Sequence, residues 1–104
     1  MATIKATEKE KLQAREVKRK NKLNSIKNEL EGGKVKSFDQ IFAIMSETRL
    51  AEEVGISWYA FRKKVNRPGE FTIYELMRFS DLIGVEYDII FAFLLGEIKQ
   101  KQRG

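Results

Sequence analysis

Four cationic side chains near the middle of the chain are the residues best suited to binding chemistry. Arg62, Lys63, Lys64 and Arg67 fall within six residues that contain no acid. Guanidinium and ammonium groups donate strong hydrogen bonds to phosphate oxygens, and both can also donate to O6 and N7 of guanine. The acidic residues of this part of the chain lie in other segments, so the sequence predicts a local basic edge on an acidic body.

Catalytic chemistry has little support in the composition. The 104 residues include neither cysteine nor histidine. This excludes a zinc site of the usual ligands, a thiol nucleophile, a Ser–His pair and a disulfide framework. No Ser–Lys or paired-carboxylate arrangement stands out either, so we expect a binding protein rather than an enzyme, with no metal ion and no cofactor.

The net charge of +5 is unevenly distributed. Residues 1–36 hold eleven Lys and Arg against five Asp and Glu, residues 37–96 hold six against nine, and residues 97–104 hold three against one. A basic balance favours an acidic partner such as nucleic acid. No apolar run is long enough for a membrane span and the N-terminus lacks the apolar block of a signal peptide, so we expect a cytoplasmic protein with no membrane partner.

A long N-terminal helix is predicted over residues 7–31, which are rich in good helix formers and are followed by the helix-ending pair Gly32 and Gly33. Only Leu23, Ile26 and Leu30 have the three- and four-residue spacing of a packed face. The basic run at residues 18–22 has two interpretations. It is either a solvated surface with pairs such as Glu16 to Lys20, or a basic arm that binds phosphates.

The fraction of apolar residues rises after residue 36. From there on, helix-capping and turn residues divide the sequence into five short predicted helices, and no segment alternates like a strand. Ser37, Ser46, Ser57 and Thr72 are the predicted N-caps, and Gly84 ends the fourth helix. The fifth helix is expected over residues 87–99. The predicted organisation is all-α, with a basic N-terminal helix at residues 1–34, a five-helix domain at residues 37–98 and a basic tail at residues 99–104.

The segment at residues 46–57 has the features of two helices joined by a tight turn. Ala51 is small where the helices would cross, Gly55 can adopt a positive φ, and Ser57 can restart the helix. Leu50 and Phe61, with Val54 and Ile56, would form the apolar wedge between the two helices. This is a helix-turn-helix pattern.

Residues 38–95 resemble the Cro and lambda-repressor-like, or xenobiotic-response-element-type, DNA-binding domains. The resemblance is carried by LAEEVGIS at residues 50–57 and by TIYELMRFSDLIGV at residues 72–85. It implies a five-helix bundle in which the helix starting at Ser57 lies in the major groove. The family commonly has glutamine at the position of Glu47, where a carboxylate would repel a phosphate.

Carried over by position, this resemblance predicts which residues face DNA. Phe61 and Val65 would face the core. Lys64 stands where the family usually has an apolar residue. The helix that starts at Ser57 therefore either faces DNA as in the family or is rotated about its own axis. A rotation would exchange the roles of Lys63, Lys64 and Asn66. Trp58 either packs partly in the core or contacts a thymine methyl group or a sugar. The predicted DNA-binding residues are Ser57, Trp58, Tyr59, Arg62, Lys63, Asn66 and Arg67.

The resemblance therefore leads us to expect a sequence-specific regulator of transcription, of phage or mobile-element type, that binds double-stranded DNA and represses by occupying an operator. Ile90, Phe93 and Leu94 would complete the core, whereas Phe91 or Leu95 would meet a second copy in a homodimer. The alternatives are that all five residues are internal, or that the protein is an antitoxin-like adaptor that binds other proteins through this fold and its N-terminal helix.

Overall fold

The computed structural model of the chain describes residues 8–103, and within this range the secondary structure is helical without strands. Six α-helices follow one another, with a 3₁₀ turn at Pro68–Glu70 between the fourth and the fifth. No helix among the described residues is both long and apolar enough to cross a lipid bilayer. The helices are α1 Glu8–Glu31, α2 Phe38–Phe42, α3 Glu47–Val54, α4 Trp58–Asn66, α5 Ile73–Ile83 and α6 Tyr87–Arg103.

The all-α prediction and the five helices after the diglycine are confirmed, and one helix end differs from expectation. Thr7, the predicted start of the first helix, lies outside the described residues. The last helix continues to Arg103 instead of ending at Lys99, so residues 99–103 extend α6 where we expected a tail. Nothing in this stretch stops a helix, since it consists of Lys, Gln and Arg.

The predicted stripe of α1 is buried. Leu23, Ile26 and Leu30 belong to the same hydrophobic core as the other helices, and Ile26 is completely enclosed. α1 packs against α5 and α6 through this second half, whereas its first half is exposed. Because a 24-residue helix is about 36 Å long, the exposed half projects and the molecule measures 64 × 29 × 24 Å.

Aromatic rings form the centre of the remaining core. Phe38 stacks on Phe42 and Phe71 with ring centroids 5.8 Å apart in both pairs, and it meets the ring of Phe93 edge-on at 5.1 Å. Phe61 of α4 is fully buried and makes edge contacts with three of these rings. Such offset and edge-to-face pairs stabilise beyond the area they bury, so Phe61 anchors α4 in the aromatic core.

Candidate nucleic-acid interface

The turn between α3 and α4 is closed by Gly55. This residue has φ 80° and ψ 31°, the left-handed conformation that glycine adopts at low cost. Its N–H donates to the carbonyls of Ala51 and Glu52, and the next N–H, of Ile56, also donates to Ala51. Two carbonyls of the last turn of α3, those of Ala51 and Glu52, are thereby satisfied, and only one residue, Ile56, separates Gly55 from the Ser57 cap of α4.

Serine side chains begin both helices, as the sequence predicts. Ser46 Oγ accepts from the backbone N–H of Arg49, and Ser57 Oγ accepts from that of Ala60, each at 3.2 Å. Ser57 is exposed, and its hydroxyl can still donate a hydrogen bond outward. The first turn of α4 also contains no acid, so its free backbone N–H groups favour an anion.

One face of α4 is open to solvent, and five of the seven predicted site residues share a shallow concavity on it. Tyr59 is 76% exposed and Trp58 is 44% exposed. Ser57 and Arg67 lie at the two ends of the helix, and Arg67 is exposed beside Glu70, with 3.6 Å between the charged groups. The concavity is lined by Trp58, Tyr59, Arg62, Lys63 and Asn66.

Trp58 and Arg62 form a unit on this face. The guanidinium carbon of Arg62 lies 5.4 Å from the centroid of the Trp58 ring, within the range of a cation–π interaction. The sequence left open whether Trp58 packs in the core. The ring is partly covered, and one of its contacts is the guanidinium, so Trp58 restricts where Arg62 can point.

The rotation of α4 is fixed by its inner face. Phe61 and Val65 are buried, as predicted. Lys64 points away from the exposed concavity, and its Nζ donates to Glu75 Oε2 of α5 at 2.5 Å. Lys63 and Asn66 therefore lie on the open face of α4, and Lys64 does not.

Glu47 faces inward rather than outward. Its Oε1 atom is buried and has no hydrogen-bond partner among the described residues. The side chain lines a polar cavity beneath α4 that Arg62, Asn66 and Lys101 also line. The carboxylate thus shares this cavity with Arg62 and Lys101 and adds negative charge on that flank of α4.

Two side chains of α6 bond to the start of α2 and to the end of α4, and the sequence did not predict either contact. Glu97 is only 2% exposed, and its Oε1 accepts from the backbone N–H of Phe38 at 2.6 Å, at the start of α2. Lys101 Nζ donates to the carbonyl of Val65 near the end of α4. A signal for Glu97 was present, because it lies three and four residues after two buried residues of α6, Leu94 and Phe93.

An ion-pair relay joins the N-terminal helix to α3, and it too was not predicted. Glu53 accepts from Arg19 Nε at 2.8 Å and lies 3.3 Å from Arg49 Nε. Hydrogen bonding to Glu53 is the main reason that the pKa of Arg19 lies above its ordinary value. Glu16 pairs with Arg19 at 2.9 Å, so the predicted pairing of Glu16 with Lys20 is wrong.

Comparison with known proteins adds no identification: no family model, no curated protein and no solved structure matches the chain.

Proposed function

We propose that the protein binds double-stranded DNA at specific sequences, with α4 in the major groove, and regulates transcription by occupying an operator. The observation that carries this proposal is the exposed face of α4. It combines two cations, an amide and two aromatic side chains on a helix that contains no acid. An arginine or lysine bonds guanine, and asparagine bonds adenine, through the base edges that the major groove exposes.

The contacts that hold α4 in position favour recognition of base edges by hydrogen bonds over nonspecific attraction of DNA to a cationic surface. The helix-turn-helix is held by the Gly55 turn, by the buried Phe61 and by the bond from Lys101 to Val65. Recognition by hydrogen bonds needs donors whose positions vary little. The stacking of Arg62 on Trp58 also limits the rotamers of that side chain before DNA binds.

A homodimer is part of the proposal because one copy makes few phosphate contacts. Each neutralised phosphate adds about 0.9 to the slope of log affinity against log salt, so three or four contacts give weak binding. Tyr87, Phe91 and Leu95 are spaced four residues apart along α6 and are 40%, 39% and 52% exposed. Two copies joined through this stripe would present two α4 helices to half-sites about 34 Å apart.

The α6 stripe also favours a second candidate, a protein-interaction adaptor that uses this fold without reading DNA. Exposed apolar side chains in a row are typical of protein contacts as well as of dimers. The position of Glu47 in the same cavity as Arg62 is a further point for this candidate, since a carboxylate there lowers the potential that attracts phosphate.

Selection of bound duplexes from a random pool, followed by footprinting, tests the proposal against this candidate. Double-stranded DNA binding at specific sequences predicts an enriched motif, and the homodimer predicts that the protected site is a palindrome. Recovery of no motif at low salt, together with a protein partner whose binding is insensitive to salt, would support the adaptor instead.

A further inference from the structure

The exposed half of α1 carries a second basic surface, separate from α4. Arg15, Lys18 and Lys22 are exposed and spaced three and four residues apart, which places them on one face of the helix. They line a concavity together with Arg19 of the same helix, with Met45 between α2 and α3, and with Arg49 of α3. The lining of this concavity contains five cations and no carboxylate. We call Arg15, Lys18 and Lys22 the α1 basic face.

The α1 basic face is fixed relative to the rest of the fold. Arg19 is bonded to Glu53, and Glu53 also pairs with Arg49, so the relay attaches this part of α1 to the flank of α3. One turn further along α1, Leu23 and Ile26 enter the core. The cations therefore occupy defined positions beside the helix-turn-helix and are not carried on a free arm.

The positive charge of this face is not neutralised within the part of the chain that the structure describes. The cations of the ion pairs there are Arg19, Arg49, Lys64 and Arg67. Lys18 and Lys22 stand at positions i and i+4, where like charges repel and destabilise a helix. A partner with closely spaced negative charges would relieve this repulsion and be attracted to all three cations at once.

The form of the face suits a nucleic-acid backbone better than a lipid surface. Helices that lie on membranes gather large apolar side chains on one face, across the helix from their basic face. In the exposed half of α1 the large apolar residues are Leu12 and Val17, and at five residues apart they lie on different sides of the helix. Arg15 and Lys22 are separated by roughly 10 Å along the axis, and a DNA duplex offers about one charge per 1.7 Å.

We propose that the α1 basic face binds the phosphate backbone of duplex DNA beside the segment that α4 reads. The choice of DNA as the partner rests on the proposed function. In this arrangement α4 supplies sequence recognition, while α1 contributes affinity that does not depend on sequence.

The matched pair of variants for the test is K18Q/K22Q on the basic face and K9Q/K20Q on the opposite side of α1. All four lysines are exposed, both variants remove two charges, and glutamine preserves helix propensity. The full chain is titrated with a random-sequence duplex over a range of salt concentrations. Circular dichroism checks that helix content is unchanged.

For K18Q/K22Q we expect the salt slope to fall by about 1.8, the value for two lost phosphate contacts, and for K9Q/K20Q we expect nearly the wild-type slope. Equal changes in the two variants, or no change in either, would overturn the inference. Loss of binding to phosphatidylserine vesicles by K18Q/K22Q, with its DNA slope intact, would overturn it in favour of a membrane.

Failure of the proposed function has a different signature. Selection from the random pool would then recover no motif, or R62A would leave the preference for a selected duplex unchanged, whatever the α1 variants do. K18Q/K22Q is expected to leave that preference unchanged as well, because a phosphate contact carries no sequence information.

Discussion

The carboxylate of Glu97 in α6 accepts a hydrogen bond from the backbone N–H of Phe38, 59 positions earlier, at 2.6 Å. This bond satisfies one of the N–H groups that the first turn of α2 leaves unpaired. It also brings a negative charge to the positive end of the helix. The last helix therefore holds the start of α2 in place, next to the Phe38 ring at the centre of the aromatic core.

Replacing Glu97 by alanine should lower the free energy of unfolding by about 1 to 3 kcal/mol, because the Phe38 N–H would lose its buried acceptor. E97Q should recover part of this loss, since the amide oxygen can accept the same bond. Urea unfolding of both variants measures the effect. E86A, at an exposed position of the loop before α6, is the control and should change stability by less than about 0.5 kcal/mol. Equal losses for E97A and E86A would contradict this role.

The pair between Lys64 and Glu75 predicts a dependence of stability on pH. Burial raises the pKa of Glu75, but the hydrogen bond from Lys64, the bond from the Thr72 backbone N–H and the charge of Lys64 together hold the pKa below its ordinary value of 4.5. A carboxyl whose pKa is lowered by folding stabilises the protein above the pKa of the unfolded chain. This contribution is lost as the pH falls through the lower value of the folded state.

E75Q should therefore be less stable than the wild type at neutral pH, by about 1 to 3 kcal/mol, and the difference should shrink as the pH falls below about 4.5. Glutamine keeps the capping interaction with Thr72, so the variant removes mainly the ion pair. Urea midpoints measured for both proteins across this pH range give the result. A difference that stays constant down to acid pH would show that the ion pair makes no such contribution.

The left-handed conformation of Gly55 makes G55A a test of the turn. A side chain in this conformation costs about 1 to 2 kcal/mol, and the added Cβ would lie 3.2 Å from Arg78 Nη1, the mobile end of a long side chain. G69A is the control, because a Cβ there meets no atom within 4 Å and Gly69 has no positive φ. We expect G55A to unfold at lower urea and G69A to resemble the wild type. If G69A unfolded at lower urea than G55A, backbone strain at Gly55 would not control the stability of the turn.

Replacing Leu95 by glutamate tests the proposed homodimer. A charge in the α6 stripe would be buried without a partner in the dimer, so L95E should be monomeric where the wild type is dimeric. Sedimentation equilibrium distinguishes the two states. L12E, which changes a similarly exposed leucine in the projecting half of α1, should remain a dimer. A monomeric wild type, or a dimeric L95E, would refute this interface.

Local rules account for most of the fold. The caps at Ser46, Ser57 and Thr72 and the turn glycines Gly55 and Gly84 are found where residue type and spacing predict them. Leu23 and Ile26 are buried as their spacing indicates. These features depend on the preferences of a few neighbouring residues, which a sequence displays directly.

The contacts that the sequence did not reveal join distant parts of the chain. The bonds of Glu97 to Phe38 and of Arg19 to Glu53 depend on how α1 and α6 pack, and charged residues do not indicate which distant group they will meet. The bond from Lys64 to Glu75 likewise depends on how α4 packs against α5. For the candidate site, the resemblance supplied the list of α4 residues, whereas the packed core shows which of them lie on the open face.

The effect of R62A and K63A on binding to the selected duplex tests the central claim most directly. K99A, which changes an exposed lysine of α6, is the control. If α4 reads the major groove, at least one of the two variants should lose about 1 to 3 kcal/mol of specific affinity and tolerate changes at one base position, while K99A retains the wild-type preference. Unchanged affinity and unchanged sequence preference in both R62A and K63A would contradict the assignment of α4 as the DNA-reading helix.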